Sequence, residues 1–392
     1  MTVPGMSINS FIHRSPSMKV ILRDGAVALL GTELDILGAK RPMLLCGSSA
    51  RRSALFGQVM ESLAATPPLV AEDVPAHSSV SLVERLAEQA HRHGVDSLVA
   101  LGGGSASDTA KAIALLLAEG GRLADHATRF TPPSTLVAPT LRRPKLPIVS
   151  IPCTASGAEV TASLGVRDAD GKKLLFTDPQ LASKVVLIDP VANLTVPASL
   201  MLSTGMNGLA HCFEGLYSLE RSPIAETLAL ESIARFVRAL PAVHREPTNA
   251  GHRAELLYAA HLSGLVLLNA RTCLHHAICH AIGSVTGVGH GDANSVMLPH
   301  VLAFNAGAVG DALTRAARAL LDDAHADPLA AVDGLKRLRD EIGAPTRLRD
   351  IGVPAETLAA IAHKVMKERG LYYNPRPVSQ AAEIGALLEA AF

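Results

Sequence analysis

Short apolar runs alternate with segments of helical period along the first 190 residues. Strands are predicted at 18–22, 42–47, 146–154 and 184–190, where the chain reads "MKVIL", "PMLLCG", "LPIVSIPCT" and "KVVLIDP". Between the second and third runs, "SLVERLAEQAHRHG" at 81–94 has the apolar spacing of an amphipathic helix that ends at Gly94. Strand and helix in alternation predict βαβ units and a mostly parallel sheet.

After Pro190 the pattern becomes helical. Helical periodicity marks 224–243, 253–270 and 311–324, and we find no convincing strand from 196 to 340. We therefore predict an α/β dinucleotide-binding domain at 1–189 and an all-helical substrate or metal domain at 190–392. The Pro-rich, aperiodic stretch 124–146 is predicted to be a loop that leaves and rejoins the first domain.

Composition excludes several classes of protein. The 392 residues carry 36 Lys plus Arg and 36 Asp plus Glu, so net charge gives no reason to expect nucleic acid as a partner. Five scattered cysteines without a CxxC pair favour a reducing compartment over a disulfide framework or a thiolate zinc site. Residues 1–20 lack the apolar core of a signal peptide, and no run is long enough for a membrane span, so we expect a cytoplasmic protein with no membrane partner.

A glycine turn is the most specific signal in the first half. At 98–114 the chain reads "LVALGGGSASDTAKAIA", which predicts a strand, a tight turn and a helix. Glycines allow a phosphate to approach the backbone, and the helix N-terminus supplies N–H donors. The alternative is a tight turn that binds nothing. The flanking strand and helix favour a cofactor site formed by Gly102, Gly103, Gly104, Ser105 and Asp108, although the turn lacks the GxGxxG pattern of ordinary Rossmann proteins.

Other cofactor contacts are predicted at two more strand ends. "IPCTASGAEVT" at 151–161 offers Cys153 and Thr154, although on its own it is no more than a polar loop. Gly47 stands where nucleotide folds usually place an acid for the ribose, and arginines follow at 51 and 52. These arginines either tolerate a 2′-phosphate or are simply solvated, so the choice between NADH and NADPH stays open. We also assign Lys173 to the cofactor site.

Histidines cluster in the second half. His276 and His280 are four residues apart on one predicted helix face, and His290 follows in a glycine-flanked loop. His211 lies on an earlier predicted helix, four residues after Asn207. One such histidine is most often a buried structural side chain. Several in two short windows predict a site in a cleft that faces the first domain. His275 points off the shared face, and we expect it to be structural.

The chain resembles the iron-containing (group III) alcohol dehydrogenase superfamily over nearly its whole length. The segments that carry the resemblance are 102–114, 151–161, 187–190, 205–214 and the histidine window. It implies a Rossmann-like N-terminal domain facing an all-helical domain, with the active site between them. Family metal ligands match His211, His276 and His290, and His280 matches a residue near substrate and nicotinamide. The fourth ligand, normally Asp, falls on Asn207.

With Asn at position 207, the chain resembles the maleylacetate reductase branch, whose members carry Asn there and are regarded as working without metal. "CLHHAICHAIG", the short loop at 151–161 and "LYYNPRPVS" also resemble this branch. Two features depart from it: Asp108 is the alcohol dehydrogenase choice, and the excursion at 120–146 is longer than usual.

We therefore expect an NAD(P)H-dependent reductase of an unsaturated oxo acid. Reduction of a conjugated C=C gives a delocalised enolate that hydrogen bonds can support, whereas a carboxylate at position 207 would add unwanted negative charge. His280 or His276 would supply the proton, His211 and Asn207 would polarise the oxygen, and the substrate carboxylates would bind Arg271 and Arg376.

Metal-free operation is favoured over three histidines that hold Fe or Zn. The main alternative is a metal-dependent alcohol dehydrogenase for a small alcohol or aldehyde. A dehydroquinate-synthase-like lyase and a non-catalytic nucleotide-binding protein rank lower. We also expect a homodimer.

Overall fold

A computed structural model describes residues 11–72, 74–323 and 325–392. The prediction that no signal peptide is present concerns mainly residues 1–10, and the predicted end of a helix concerns Ala324; both lie outside the described residues. Within the described ranges, no helix is long and apolar enough to cross a membrane.

The described residues form ten strands and fifteen α-helices. The strands are β1 Lys19–Leu22, β2 Pro42–Cys46, β3 Leu69–Ala71, β4 Ser97–Gly102, β5 Arg129–Thr131, β6 Thr135–Val137, β7 Ile148–Pro152, β8 Ser163–Arg167, β9 Lys173–Thr177 and β10 Val185–Ile188. The helices are α1 Leu30–Ile36, α2 Ser48–Arg51, α3 Ala54–Ser62, α4 Val80–Arg92, α5 Gly104–Glu119, α6 Pro190–Asn193, α7 Ala198–Tyr217, α8 Pro223–Arg245, α9 Ala250–Ala270, α10 Leu274–Thr286, α11 His290–Asn305, α12 Gly310–Leu321, α13 Pro328–Glu341, α14 Leu358–Val365 and α15 Ala381–Ala390.

The main sheet is parallel, with strand order β1-β10-β7-β4-β2-β3, as the alternating pattern predicts. Its central strands are buried on both sides, which explains their unbroken apolar runs. Successive side chains pack on opposite faces: Leu44 and Val99 join one core with α1 and α3, and Leu45 and Ala100 join another with α4 and α5.

The two predicted cofactor loops lie side by side at the carboxyl edge of this sheet. β4 and β7 pair directly, and the glycine turn follows β4 while the 153–161 loop follows β7. The backbone N–H of Cys153 donates to the carbonyl of Gly102 at 2.9 Å, which joins the two loops. Ligands of open α/β sheets bind at this edge.

Two antiparallel hairpins were not predicted. β8 and β9 pair next to the cofactor loops, and β5 and β6 pair within the stretch that we predicted as a loop. The excursion leaves the main sheet as predicted, but it forms the β5–β6 hairpin. Thr128 N–H, just before β5, donates to the carbonyl of Leu175 in β9. β5 and β6 are only three residues long, and β6 is exposed, so no buried apolar run marks them.

The described part of 190–392 contains helices and no strand. One core gathers α7, α8, α9, α12 and α13, and a second gathers α10, α11, α14 and α15. The helical class of this half is confirmed, and the boundary at Asp189 remains a prediction.

Candidate active site

Three helices bring the predicted histidines into one row. The ring of His211 on α7 stacks on that of His276 on α10, with centroids 4.7 Å apart. His276 lies 6.0 Å from His280 one turn later, and His280 lies 5.5 Å from His290, the first residue of α11. The i, i+4 spacing and the glycine-flanked histidine thus mark neighbouring side chains.

Asn207 lies at one end of this row. Its Oδ1 is 3.2 Å from Nε2 of His276 and accepts a 2.8 Å hydrogen bond from Nδ2 of Asn294 on α11. Glu214, two turns further along α7, places Oε2 2.6 Å from Nδ1 of His276. Both ring nitrogens of His276 therefore face protein partners.

One group of close ligand atoms lies beside the histidines predicted as metal ligands. Within the described ranges, the one group of three His, Cys, Asp or Glu side chains with ligand atoms within 4.8 Å of one another is Glu214, His275 and His276. His211 and His290 do not join it. The 2.6 Å contact from Glu214 to His276 is a hydrogen-bond length, so Glu214 is a partner of Nδ1 and not a second ligand beside it. Nε2 of His276, 3.2 Å from Oδ1 of Asn207, is the nitrogen left for a ligand.

Burial keeps these imidazoles uncharged. It lowers the pKa of His276 and His290 to about 3, and the positive charge of Lys173 adds to the effect on both. Burial also lowers the pKa of His280 well below its ordinary value, again reinforced by Lys173. Nδ1 of His211 and Nδ1 of His290 are buried and have no hydrogen-bond partner among the described residues, so no protein group there holds either nitrogen.

The glycine turn has the geometry of a phosphate site. Gly103 is the N-cap of the sixteen-residue helix α5 and makes no side-chain cap, which leaves the N–H groups of the first turn available. Ser105 directs its Oγ to the backbone N–H of His77 at 3.2 Å. A Cβ on Gly103 would lie 2.7 Å from Cγ2 of Thr154, whereas one on Gly104 would be 3.7 Å from its nearest neighbour. Gly103 therefore permits the two loops to touch.

Asp108 and Cys153 have internal contacts. Asp108 accepts a 3.0 Å hydrogen bond from the backbone N–H of Gly165 and so ties α5 to β8. The thiol of Cys153 is buried against the carbonyl of Ile151, and burial raises its pKa to about 12. These contacts give both residues a structural role beside any contact with a cofactor.

Gly47, predicted to influence the choice between NADH and NADPH, has little room for a side chain. Gly47 lies between β2 and α2, and a Cβ there would be 3.1 Å from the carbonyl of Val74. Arg51 is already paired with Glu72 at 2.8 Å and packs over Phe56.

Positive charge near the histidine row comes from the β8–β9 hairpin. Lys173 and Arg167 are opposite each other in this pair. After burial, Arg167 and Lys173 both contribute to the lowered pKa of His77, whose ring is 5.5 Å from that of His290.

The two arginines predicted to bind the substrate carboxylates contact residues outside the histidine row. Arg376 packs 3.6 Å over the ring of Phe304 and donates to its carbonyl, which pins the C-terminal segment. Arg271 ends α9 with φ of 62°, and its charged neighbours include Arg369 and Glu220. Neither makes a hydrogen bond or ring contact with the histidine row among the described residues.

Sequence reasoning missed Glu214 and Asn294. The signal for Glu214 was present, because positions 207, 211 and 214 have the four-and-three spacing of one helix face. Asn294 had no such signal, since α11 reaches the site only through tertiary packing. Arg167 is likewise placed by strand pairing.

Family models match both halves of the chain. Residues 16–190 match the iron-containing alcohol dehydrogenase model, and residues 201–392 match the C-terminal model of the same family. Maleylacetate reductase from Pseudomonas knackmussii is 31% identical over 381 residues, which is 97% of each chain.

Solved structures agree. The maleylacetate reductase of Rhizobium sp. strain MTP-10005 has a TM-score of 0.81 at 30% identity and covers 98% of both chains. A 1,3-propanediol oxidoreductase has a TM-score of 0.90 at 26% identity, covering 98% of this chain and 100% of its own. The relatives are oxidoreductases of small molecules, and the family implies NAD(P)H and, usually, a metal. The chain is an oxidoreductase and belongs to the iron-containing alcohol dehydrogenase superfamily, in its maleylacetate reductase branch.

Proposed function

We propose that this protein is a maleylacetate-type reductase that uses NAD(P)H to reduce the C=C bond of an unsaturated oxo acid. The observation that carries the proposal is Asn207 in contact with His276, where the superfamily usually has a metal-binding Asp. Full-length relatives named maleylacetate reductase support it.

Charge favours an ene reduction over alcohol oxidation. Hydride addition to a C=C conjugated with a ketone yields an enolate whose charge is spread over carbon and oxygen. A site of neutral imidazoles and an amide supports such a charge with hydrogen bonds. Conversion between an alcohol and its carbonyl compound involves a localised alkoxide, for which a dication is the natural stabiliser. Asn207 keeps a negative charge out of a cleft that must receive an anionic substrate.

NAD(P)H held in the cleft would supply the hydride for one carbon of the double bond and would be oxidised. We assign the proton for the other carbon to His280, whose neutral ring gives up its N–H hydrogen and takes another from solvent. The C=C bond then becomes a C–C bond, and two C–H bonds form. His276 is the alternative donor. Our candidates to hold the ketone oxygen are His211 and Asn207. Nδ1 of His211 has no hydrogen-bond partner among the described residues. Arg271 and Arg376 remain untested predictions for the carboxylates.

The cofactor site is assigned to the carboxyl edge of the sheet. Gly102, Gly103, Gly104 and Ser105 would hold the pyrophosphate with the uncapped N-terminus of α5. Cys153, Thr154, Asp108, Gly47 and Lys173 complete the predicted set. The absence of an acid at Gly47 leaves NADPH tolerated.

We further propose that the reaction needs no metal. The support is the neutral amide of Asn207, which faces Nε2 of His276 where the superfamily usually has a ligating Asp, and His290 lies outside the group of close ligand atoms. If Fe or Zn did bind, His211, His276 and His290 would be its ligands. The predicted cytoplasmic location and homodimer, like the boundary at Asp189, stay predictions.

The competing function is a metal-dependent alcohol dehydrogenase. It is kept because the 1,3-propanediol oxidoreductase structure matches the backbone of this chain with a TM-score of 0.90. A substrate panel separates the two. Unsaturated oxo diacids, saturated oxo diacids and small aldehydes are each mixed with enzyme and NADH or NADPH, and loss of reduced cofactor is followed. We expect turnover of the unsaturated oxo diacids alone. Turnover of the aldehydes alone would contradict the proposal.

A further inference from the structure

Glu214 holds a buried carboxylate beside the histidine row. Its side chain is fully buried, and its Oε1 accepts hydrogen bonds from the backbone N–H groups of His275 at 2.9 Å and His276 at 3.3 Å. Those N–H groups belong to the first turn of α10 and have no partner within the helix. Oε1 is therefore committed to the backbone, and Oε2 is left to face Nδ1 of His276 at 2.6 Å.

His275 independently fixes where His276 carries its hydrogen. Nε2 of His275 lies 3.2 Å from the backbone carbonyl of Asn294, which can only accept, so that nitrogen carries the hydrogen. The thiol of Cys279, 3.6 Å from the same nitrogen, is a weaker partner. Nδ1 of neutral His275 is then a lone pair, and it faces Nδ1 of His276 at 3.4 Å. Two lone pairs would repel, so Nδ1 of His276 must carry a hydrogen.

We propose that Glu214 is a positioning residue of the active site, which holds the hydrogen of His276 on Nδ1 and thereby directs Nε2 at Asn207. The effect of Glu214 on catalysis rests on the reaction proposed above. The position of the hydrogen on His276 does not depend on that reaction. Carboxylates that orient a functional imidazole through its second nitrogen work in this way.

The arrangement also gives a reason for an amide at position 207. A hydrogen on Nε2 is met by the oxygen of Asn207. A lone pair on Nε2 is met by its NH₂ group when the amides of Asn207 and Asn294 both turn, which gives Oδ1 of Asn294, buried without a described partner, an N–H to accept. An ionised carboxylate can only accept. An amide therefore suits a ring whose Nε2 is the one nitrogen open to the cleft.

Nuclear magnetic resonance of histidine labelled with ¹⁵N tests this directly. The signal of His276 is identified by its loss in a His276→Gln variant, and its ring couplings report which nitrogen carries the hydrogen. In the unmodified protein we expect the hydrogen on Nδ1. A hydrogen on Nε2 alone would overturn the proposal, whatever the substrate panel shows.

The variant Glu214→Gln supplies the second readout. Its amide oxygen would keep the two backbone N–H groups, which places its NH₂ against Nδ1 and forces the hydrogen of neutral His276 to Nε2. We expect this swap in the spectrum and a fall in kcat of about 10–100-fold, with the KM for NAD(P)H unchanged. Glu33→Gln is the matched control, since Glu33 is also buried but pairs with Lys19. A folded Glu214→Gln variant with the unmodified spectrum and normal kcat would contradict the role.

Discussion

At the scale of the residue, we expect position 207 to decide the chemistry. Asn207→Asp would recreate the three-His, one-Asp set of the superfamily. With Fe²⁺ or Zn²⁺ supplied, we expect tighter metal binding, because one ligand charge is gained. Without metal, the new carboxylate would lie beside Nε2 of His276 and the developing enolate, and reduction of the unsaturated oxo acid should slow.

Metal affinity by calorimetry and the metal-free rate test this pair of effects. The matched control is Asn294→Asp, which adds the same charge on α11 one contact further from His276. It should slow the reaction less and gain less metal affinity. If Asn207→Asp kept its metal-free rate, the charge argument would fail.

His280 is the proton donor in our account. It lies between His276 and His290 in the row, and burial lowers its pKa, so it is a neutral N–H donor near neutral pH. His280→Gln should reduce kcat by about 10²–10⁴-fold, the usual effect of removing a general acid. Steady-state kinetics measure this effect, with His261→Gln, a buried histidine outside the row, as the control. Near-normal turnover in His280→Gln would remove His280 as the proton donor.

How much of the site was predictable depends on how local each contact is. His211, His276, His280 and His290 were found because helix spacing and flanking glycines are visible in one sequence. Asp108 shows the limit: its motif suggested a cofactor contact, but its carboxylate binds the backbone of Gly165, which is placed by a hairpin that the sequence did not reveal.

At the scale of the element, the N-terminus of α5 carries the cofactor prediction. Gly103→Val is a poor test, because a side chain there meets Thr154 before any ligand. Gly104 has room for a Cβ, so Gly104→Val should fold and yet crowd the free N–H groups, weakening NAD(P)H binding by at least about 10-fold.

Cofactor titration by fluorescence and thermal unfolding check this expectation. Gly57→Val is the control, since a Cβ on Gly57 in α3 also meets open space but lies away from the glycine turn. Equal cofactor affinity in the two folded variants would remove the glycine turn from the site.

The elements themselves were predictable where they are long or buried. The helix predicted at 81–94 is Val80–Arg92, and the strand predicted before the glycine turn is Ser97–Gly102. β3 and the two hairpins were missed, because they are short or partly exposed and their pairing is set by tertiary neighbours. Apolar periodicity reports burial, so it is silent about exposed strands.

At the scale of the whole molecule, buried neutral histidines make stability depend on pH. Burial lowers the pKa of His275 and His261 to about 4 and that of His276 to about 3. The unfolded chain binds these protons below pH about 6.5, but the folded chain does not, so the free energy of unfolding should fall as pH drops from 6.5 towards 4.

Urea unfolding across that range measures the effect, which is at most about 1.4 kcal/mol per pH unit for each histidine. His261 lies outside the histidine row, so His261→Gln should flatten the curve without altering the site. His91→Gln, at an exposed position, should not. Identical slopes for His261→Gln and the unmodified protein would contradict the burial argument.

The central claim is that this chain catalyses its reaction without a metal, although its superfamily usually uses one. The most direct test is the rate of unsaturated oxo acid reduction by the unmodified protein before and after exhaustive chelation, with metal content measured on the same samples. The account predicts far less than one metal ion per chain, an unchanged rate after chelation and no gain on adding Fe²⁺ or Zn²⁺. One tightly held ion per chain, with activity lost on its removal and regained on its return, would contradict it and leave the three histidines as metal ligands.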